Sequence, residues 1–393
     1  MKKVSFIFII FLLIISCFMI DIQATEENAG INQGEVGFEV TGKVIEAGEV
    51  TEKVTGTVKD KIQKVTIKIT EGEYKGEKYQ TEYVLSYDIA GKIEAYPLEE
   101  GDRVTTHLSI DSNGNVTATV YDVVRSGYIV IMFLLFVASV IIVGGKRGVK
   151  AIIGLVLTIL AIYFILIKQI FSGSNVIVTS IISIIITIAA TLIVIGGFSK
   201  KITTAAIGTL GGVVSAGIMA LIFNRLAKMS GACEDAIQLS INMTTVNFDF
   251  RDLLFAGIIV SALGACMDVA MSIASSLDEI KIKNPEITWK ELFKSGMNIG
   301  KDVIGTMTNT LILAYVGGSL TLILLFMACN MNFIEILNKE TIAEQVISAI
   351  AGSMGVVYTV PITAFAYAIL NKDKTVYRTV SENKLEGKRS LKI

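Results

Sequence analysis

The sequence predicts a mostly α-helical polytopic membrane protein, with about seven C-terminal spans, an N-terminal signal or anchor, and a small extracytoplasmic all-β domain between them. Three observations predict it. Hydrophobic residues make up 52% of the 393 and charged residues only 18%, against about 25% charged in ordinary soluble domains. The apolar residues gather in blocks of roughly twenty, the helix length that crosses about 30 Å of hydrocarbon. One polar stretch, 26–125, instead alternates apolar and polar residues with period two, as half-buried strands do.

The chain opens Met1-Lys2-Lys3 and continues as an apolar run from Val4 to Ile20. A basic start before a short apolar core is the signal-peptide pattern, so residues 1–24 read as a signal peptide or an uncleaved membrane anchor. Cleavage would fall after Ala24, a poor match to the small-residue rule. Ile14-Ile15-Ser16-Cys17 resembles a lipobox only loosely, because the apolar run continues past the cysteine.

Residues 25–126 form the β-rich domain. Val65-Thr66-Ile67-Lys68-Ile69-Thr70 alternates, as do 104–110 and 116–120, and Asn113-Gly114 between the last two reads as a hairpin turn. Further strands are expected near 37–45 and 81–87. About five short strands in a hundred residues suggest a small barrel or a sandwich. About nineteen acids against eleven bases leave 26–125 at roughly −8. That charge suits a solvated exterior, or else a surface tuned to a cationic ligand.

The seven-span domain, 127–371, divides into apolar blocks near 128–145, 151–171, 175–198, 202–224, 252–276, 303–328 and 346–370. Bases concentrate in alternate connections: Lys146, Arg147 and Lys150; Lys200 and Lys201; Lys281, Lys283, Lys290, Lys294 and Lys301; then the basic tail, 372–393. The intervening connections are poor in bases. The positive-inside bias then puts the C-terminus in the cytoplasm and 25–126 outside. Residues 282–297, with Trp289, Leu292 and Phe293, and 331–345 read as amphipathic connecting or interfacial helices.

Chemistry concentrates in two blocks. Within 255–276, steps of three and four residues link Gly257, Ser261, Gly264, Asp268, Ser272 and Ser275 on one helix face. Leu254, Ile258, Ile259 and Leu263 occupy the other face and suit lipid. A carboxylate at mid-span costs roughly 2.5–3.5 kcal/mol on insertion scales, so water, an ion or a hydrogen-bonding neighbour must meet Asp268. The next span opens with Asp302, Gly305 and Asn309 on one face and Thr306 and Thr310 beside them, placing Asn309 to donate to Asp268 or to line a path with it. Tyr315 and Gly317-Gly318 follow. The same residues also suit plain interhelical glue, which contributes about 0.6 kcal/mol per pair. Gly208-x-x-x-Gly212 and Gly211-x-x-x-Ser215 read as packing motifs. Pro361 breaks the hydrogen-bond ladder of the last span.

The run Gly264-Ala265-Cys266-Met267-Asp268-Val269-Ala270-Met271-Ser272-Ile273-Ala274-Ser275-Ser276 resembles a signature block of the YibE/F-like bacterial membrane proteins. So does Gly300-Lys301-Asp302-Val303-Ile304-Gly305-Thr306-Met307-Thr308-Asn309-Thr310-Leu311-Ile312-Leu313-Ala314-Tyr315. The resemblance implies a multi-pass protein of the bacterial cytoplasmic membrane and brings no substrate or reaction with it.

Several function classes fall away. A net charge of −1 gives no field for nucleic acid. Cys17, Cys233, Cys266 and Cys329 are scattered without metal or disulfide spacing. His107 is the sole histidine and lies in a strand. Neither HExxH, a Walker A pattern nor a close pair of mid-span acids occurs, so no catalytic residue, metal or cofactor is expected. Two readings remain: a permease for a small solute or ion with its polar site around Asp268 and Asn309, or a non-transporting envelope assembly or sensing factor whose outer domain binds a partner. Partners are then the lipid bilayer, the solute, and an envelope protein or further copies of the chain.

Overall fold

The structure, a computed structural model, describes residues 36–55, 58–85, 95–110, 115–242 and 249–372. The expected N-terminal signal or anchor, the Asn113-Gly114 turn and all but the first residue of the basic tail lie outside the described residues. The chain divides into two compact units, one up to Ser139 and one from Val140 on.

The first unit contains β1 (Val36–Thr55), β2 (Val58–Ile69), β3 (Lys78–Val84), β4 (Arg103–Ile110) and β5 (Val116–Val123). Their alternation sets the two faces. Val65, Ile67 and Ile69 are at most 1% exposed while Lys64 before them and Lys68 between them point outward. The strands pair antiparallel in the order β3-β2-β1-β4-β5. Three strands thus run as a meander and the fourth returns beside the first, which is a Greek key.

β1 spans twenty residues and pairs with β2 on one edge and β4 on the other. Register shifts at Val44/Glu46 and Ala47/Val50 bend it. Edge strands β3 and β5 lie against one another without pairing, so of the two expected alternatives the sheet adopts a partly open barrel rather than a sandwich. The strand expected at 81–87 begins earlier, at Lys78. Gln63 is buried, but its amide donates to the carbonyls of Gly48 and Leu98 and accepts from the Leu98 N–H. His107 sits in β4 opposite Glu39 and Thr119. Beyond β5, the Arg125 guanidinium bonded to Asp122 holds that carboxyl below its ordinary range.

The helices are α1 (Ser126–Ala161), a π segment (Ile162–Ile167), α2 (Lys168–Phe171), α3 (Val176–Gly196), α4 (Lys200–Leu226), α5 (Glu234–Asn242), α6 (Phe250–Lys283), α7 (Trp289–Gly318), α8 (Leu320–Ala328), α9 (Phe333–Leu337) and α10 (Glu340–Leu370). Among the described residues, five helical runs are long and apolar enough to cross a membrane: Ser126–Phe171, α3, α4, α6 and α10. The pair α7–α8, bent by 51°, makes a sixth if it is one span.

The sequence anticipates seven. The difference lies at Gly145, where blocks 128–145 and 151–171 join in one run. Gly145 has φ 52° and ψ −129°, a break inside the helix that a side chain would resist. In a straight helix residues 140 and 148 would stand about 12 Å apart. Here a Cβ on Gly148 would fall 2.2 Å from the Val140 carbonyl oxygen, so the chain turns sharply between them.

The connection at 282–297 forms no separate interfacial helix. α6 runs on to Lys283, and a Thr288/Glu291 capping box starts α7 immediately. Leu292 is 0% exposed. The span expected at 303–328 is therefore the later part of a longer helix plus α8, divided at Gly317-Gly318-Ser319. In the other amphipathic connection, Asn332 and Glu335 cap the short α9 and α10 follows at Glu340.

Candidate functional site around Asp268

α4, α6 and α10 form the centre of the helical unit, and α4 and α10 cross at backbone distance. A Cβ on Gly208 would lie 1.9 Å from Thr363 Oγ1, and one on Gly212 would lie 1.9 Å from Thr359 Oγ1. Gly355 meets Ala216 and the Gly212 carbonyl across the crossing. Thr359 and Thr363 satisfy their hydroxyls within their own helix, on Gly355 and Thr359 carbonyls. The small-residue pattern of α4 is a packing motif, as its spacing suggests.

α6 closes this centre with Cys266 and Ala270, which approach Gly212 and Gly208. Leu254, Ile258, Ile259 and Leu263 are 7, 1, 2 and 4% exposed, so the face expected to meet lipid is the face packed inside. The inversion has a physical cause. Lipid tails are as apolar as leucine, so hydrophobicity does not choose between lipid and protein; close fit does, and the glycines of α4 receive the apolar side of α6.

The polar stripe consequently lies on the open side of α6. Gly257, Ser261, Gly264, Asp268 and Ser272 are all exposed, and a Cβ on Gly257 or Gly264 would meet nothing within 4 Å. Ser275 is half-buried at its end. Asp268 stands eighteen residues after Phe250 and fifteen before Lys283, roughly 27 and 23 Å from the two ends of the helix.

α7 runs antiparallel beside this stripe. Gly296 and Gly300 seat its first half on Ala364 and Val360 of α10. The Gly-x-x-x-Gly spacing was a legible signal for that contact, just outside the block from Asp302 onward. Farther along, Tyr315 donates to Ser261 Oγ at 2.8 Å, and Ser261 donates to the Ile258 carbonyl. No hydrogen bond joins Asp268 to Asn309.

Asn309, Thr306, Thr310 and Asp302 are exposed on α7. Thr306 and Thr310 bond back to carbonyls of their own helix. Thr308, not singled out from sequence, carries a buried hydroxyl without a partner among the described residues. Among the described residues no three His, Cys, Asp or Glu side chains gather as a metal site would require.

At the α6 N-terminal end of the stripe lies a cavity of about 320 Å³ between α6, α7 and α10, with Gly257, Tyr315, Glu344 and Ser348 among its walls. Next to it, Glu340 accepts from the Ser230 N–H and Oγ and from the Gly231 N–H at 2.5, 2.7 and 2.9 Å, tying α10 to the loop after α4. At the opposite end Tyr367 donates to Asp278 at 2.9 Å. Lys150 donates to the Ile195 carbonyl at the end of α3, and Lys372 stands 5.7 Å from the Trp289 ring. The basic connections thus cluster with the C-terminal ends of α3, α6 and α10.

Compared with known proteins, residues 132–373 match the model of the YibE/F-like protein family. No curated protein and no solved structure matches the chain.

Proposed function

We propose that this chain, which belongs to the YibE/F-like family, works as a bacterial membrane permease whose translocation path runs along the open face of α6 past Asp268. One observation carries this reading: the ionisable residue of a membrane-length helix faces away from the apolar packing, in line with Ser261 and Ser272. Intramembrane carboxylates mark solute and ion paths by default. Asn309, Thr306, Thr310 and Asp302 on α7, with Ser275 at the end of the stripe, supply the adjoining polar wall. An ionised group on that face is not tolerated against hydrocarbon, so water, the solute or a further helix covers it. No catalytic role is assigned to any residue.

The proposed topology puts the β domain and the cavity end of α6 outside and the basic connections in the cytoplasm of a bacterial cell. Alkaline phosphatase fused after Arg125 should be active and the same fusion after Leu370 inactive. The reverse result would overturn the topology.

For the path, Asp268→Asn should abolish flux of small cations into proteoliposomes while leaving insertion and unfolding unchanged. Wild-type flux in that variant would remove the basis of the permease. A second reading, a scaffold for assembly or sensing, draws on a specific feature: the open small residues Gly257, Gly264 and Gly305 are what a helix offers to another helix. It predicts that Gly264→Leu disrupts a cross-linked complex without altering flux.

A further inference from the structure

We infer that the cavity at the α6 N-terminal end of the polar stripe binds a small organic cation, with Glu344 as its counter-ion. The cavity holds about 320 Å³, near the lower bound of small-molecule sites and far more than a bare metal ion needs. Three polar side chains of α10, Glu344, Gln345 and Ser348, line it. Ser348 is a helix-surface neighbour of both Glu344, four residues before it, and Gln345, three before it. Among the described residues none of the three has a hydrogen-bond partner, although the neighbouring Glu340 is engaged by Ser230 and Gly231. Buried and half-buried polar groups are ordinarily paired, so three unpaired ones converging on one cavity point to something that enters it.

The chemistry of the walls selects the ligand. Among the described residues lining the cavity none is Lys, Arg or His, and the one ionisable carboxylate among them is that of Glu344. Phe250 and Tyr315 supply aromatic surface, and Leu253, Leu254 and Ile258 supply apolar surface. An alkali-metal ion needs oxygens converging in a tight shell. One carboxylate, one amide and two hydroxyls spread around a half-apolar chamber suit an ammonium group on a small carbon skeleton, held by charge and by the ring faces. Tyr315 also bonds Ser261 of the stripe, so a ligand seated here stands at the head of the row that leads to Asp268. Its role as an entry station rests on the permease reading; the binding itself does not.

The probe is radiolabelled n-butylammonium, a primary ammonium with three N–H donors, measured by equilibrium dialysis against the full chain in detergent, with sodium chloride as competitor. One saturable site per chain is expected, at least tenfold weaker in Glu344→Gln, less weakened in Glu344→Asp, and within twofold of wild type in Asp268→Asn. Sodium at equal concentration should not displace the probe. If Glu344→Gln fails to fold, Ser348→Ala and Glu344→Asp carry the comparison, each expected to weaken binding measurably.

Absence of binding, unchanged binding in Glu344→Gln and the fallback variants, or displacement by sodium at equal concentration would overturn the site. Loss of binding in Asp268→Asn would move the site to the stripe and overturn it as well. Wild-type flux in Asp268→Asn together with intact, Glu344-dependent binding would sink the permease and leave the cavity's ligand standing.

Discussion

The crossing of α4 with α10 and the open face of α6 are written in the same alphabet of Gly, Ser, Thr and Ala, and they do opposite things. At the crossing, an added methyl on Gly208 or Gly212 would stand 1.9 Å from a threonine oxygen. On the face of α6, an added methyl on Gly257 or Gly264 would meet nothing within 4 Å. Small residues at the crossing are there because backbones touch. At Gly257 and Gly264 of α6 no described residue comes that close, so packing among the described residues does not account for these two glycines. A small-xxx-small spacing therefore says that close approach is allowed, and only the neighbours say whether it is used.

Four substitutions can break or sharpen that contrast. The largest effect is expected for Gly212→Ala, which forces Thr359, Cys266 and the Gly355 carbonyl apart. Overpacking of this kind costs about 2–3 kcal/mol, read as a lowered unfolding midpoint in detergent. A stability change under half a kcal/mol would mean the crossing is looser than its geometry. Next, Gly145→Ala places a side chain at φ 52° and should cost about 1–2 kcal/mol; an unchanged midpoint would show that the break between the first two apolar blocks is not held.

A smaller loss, about 1 kcal/mol, is expected for Tyr315→Phe, which removes the hydroxyl bonded to Ser261. In a double-mutant cycle with Ser261→Ala the two losses should fail to add, and simple additivity would argue that the bond is not made. The smallest effect on stability belongs to Gly264→Ala, within about 0.5 kcal/mol of wild type. Under the proposed function it should still reduce flux, because a methyl narrows the path one turn from Asp268. A destabilisation comparable to Gly212→Ala would erase the distinction between the two regions.

Much of the fold was legible because its signals are local. The period-two runs gave β2, β4 and β5 within a residue or two at most ends, and the blocks of twenty gave the positions of α3, α4, α6 and α10. The α7–α8 region was harder. Gly317-Gly318 was visible, but the first half of α7 carries lysines and a tryptophan, which read as a surface connection, whereas Gly296, Gly300 and Phe293 meet α10. At the site, the helical steps from Gly257 to Ser272 put Asp268 on the right stripe. The pairing of Ser261 with Tyr315 and the convergence of Glu344, Gln345 and Ser348 join helices dozens of residues apart in sequence, and no periodicity within one helix reports that.

By itself the sequence determined membrane-length helices, a separate strand-rich domain, one stripe of small and polar residues around a lone mid-helix carboxylate, and an uneven distribution of basic residues among the connections. Tertiary structure alone decided which side of α6 is inside. Water would drive leucine inward, but hydrocarbon, as apolar as leucine itself, does not. The choice falls to shape, to how closely the glycines of α4 and α10 let the apolar face of α6 approach, and that is a property of three helices at once.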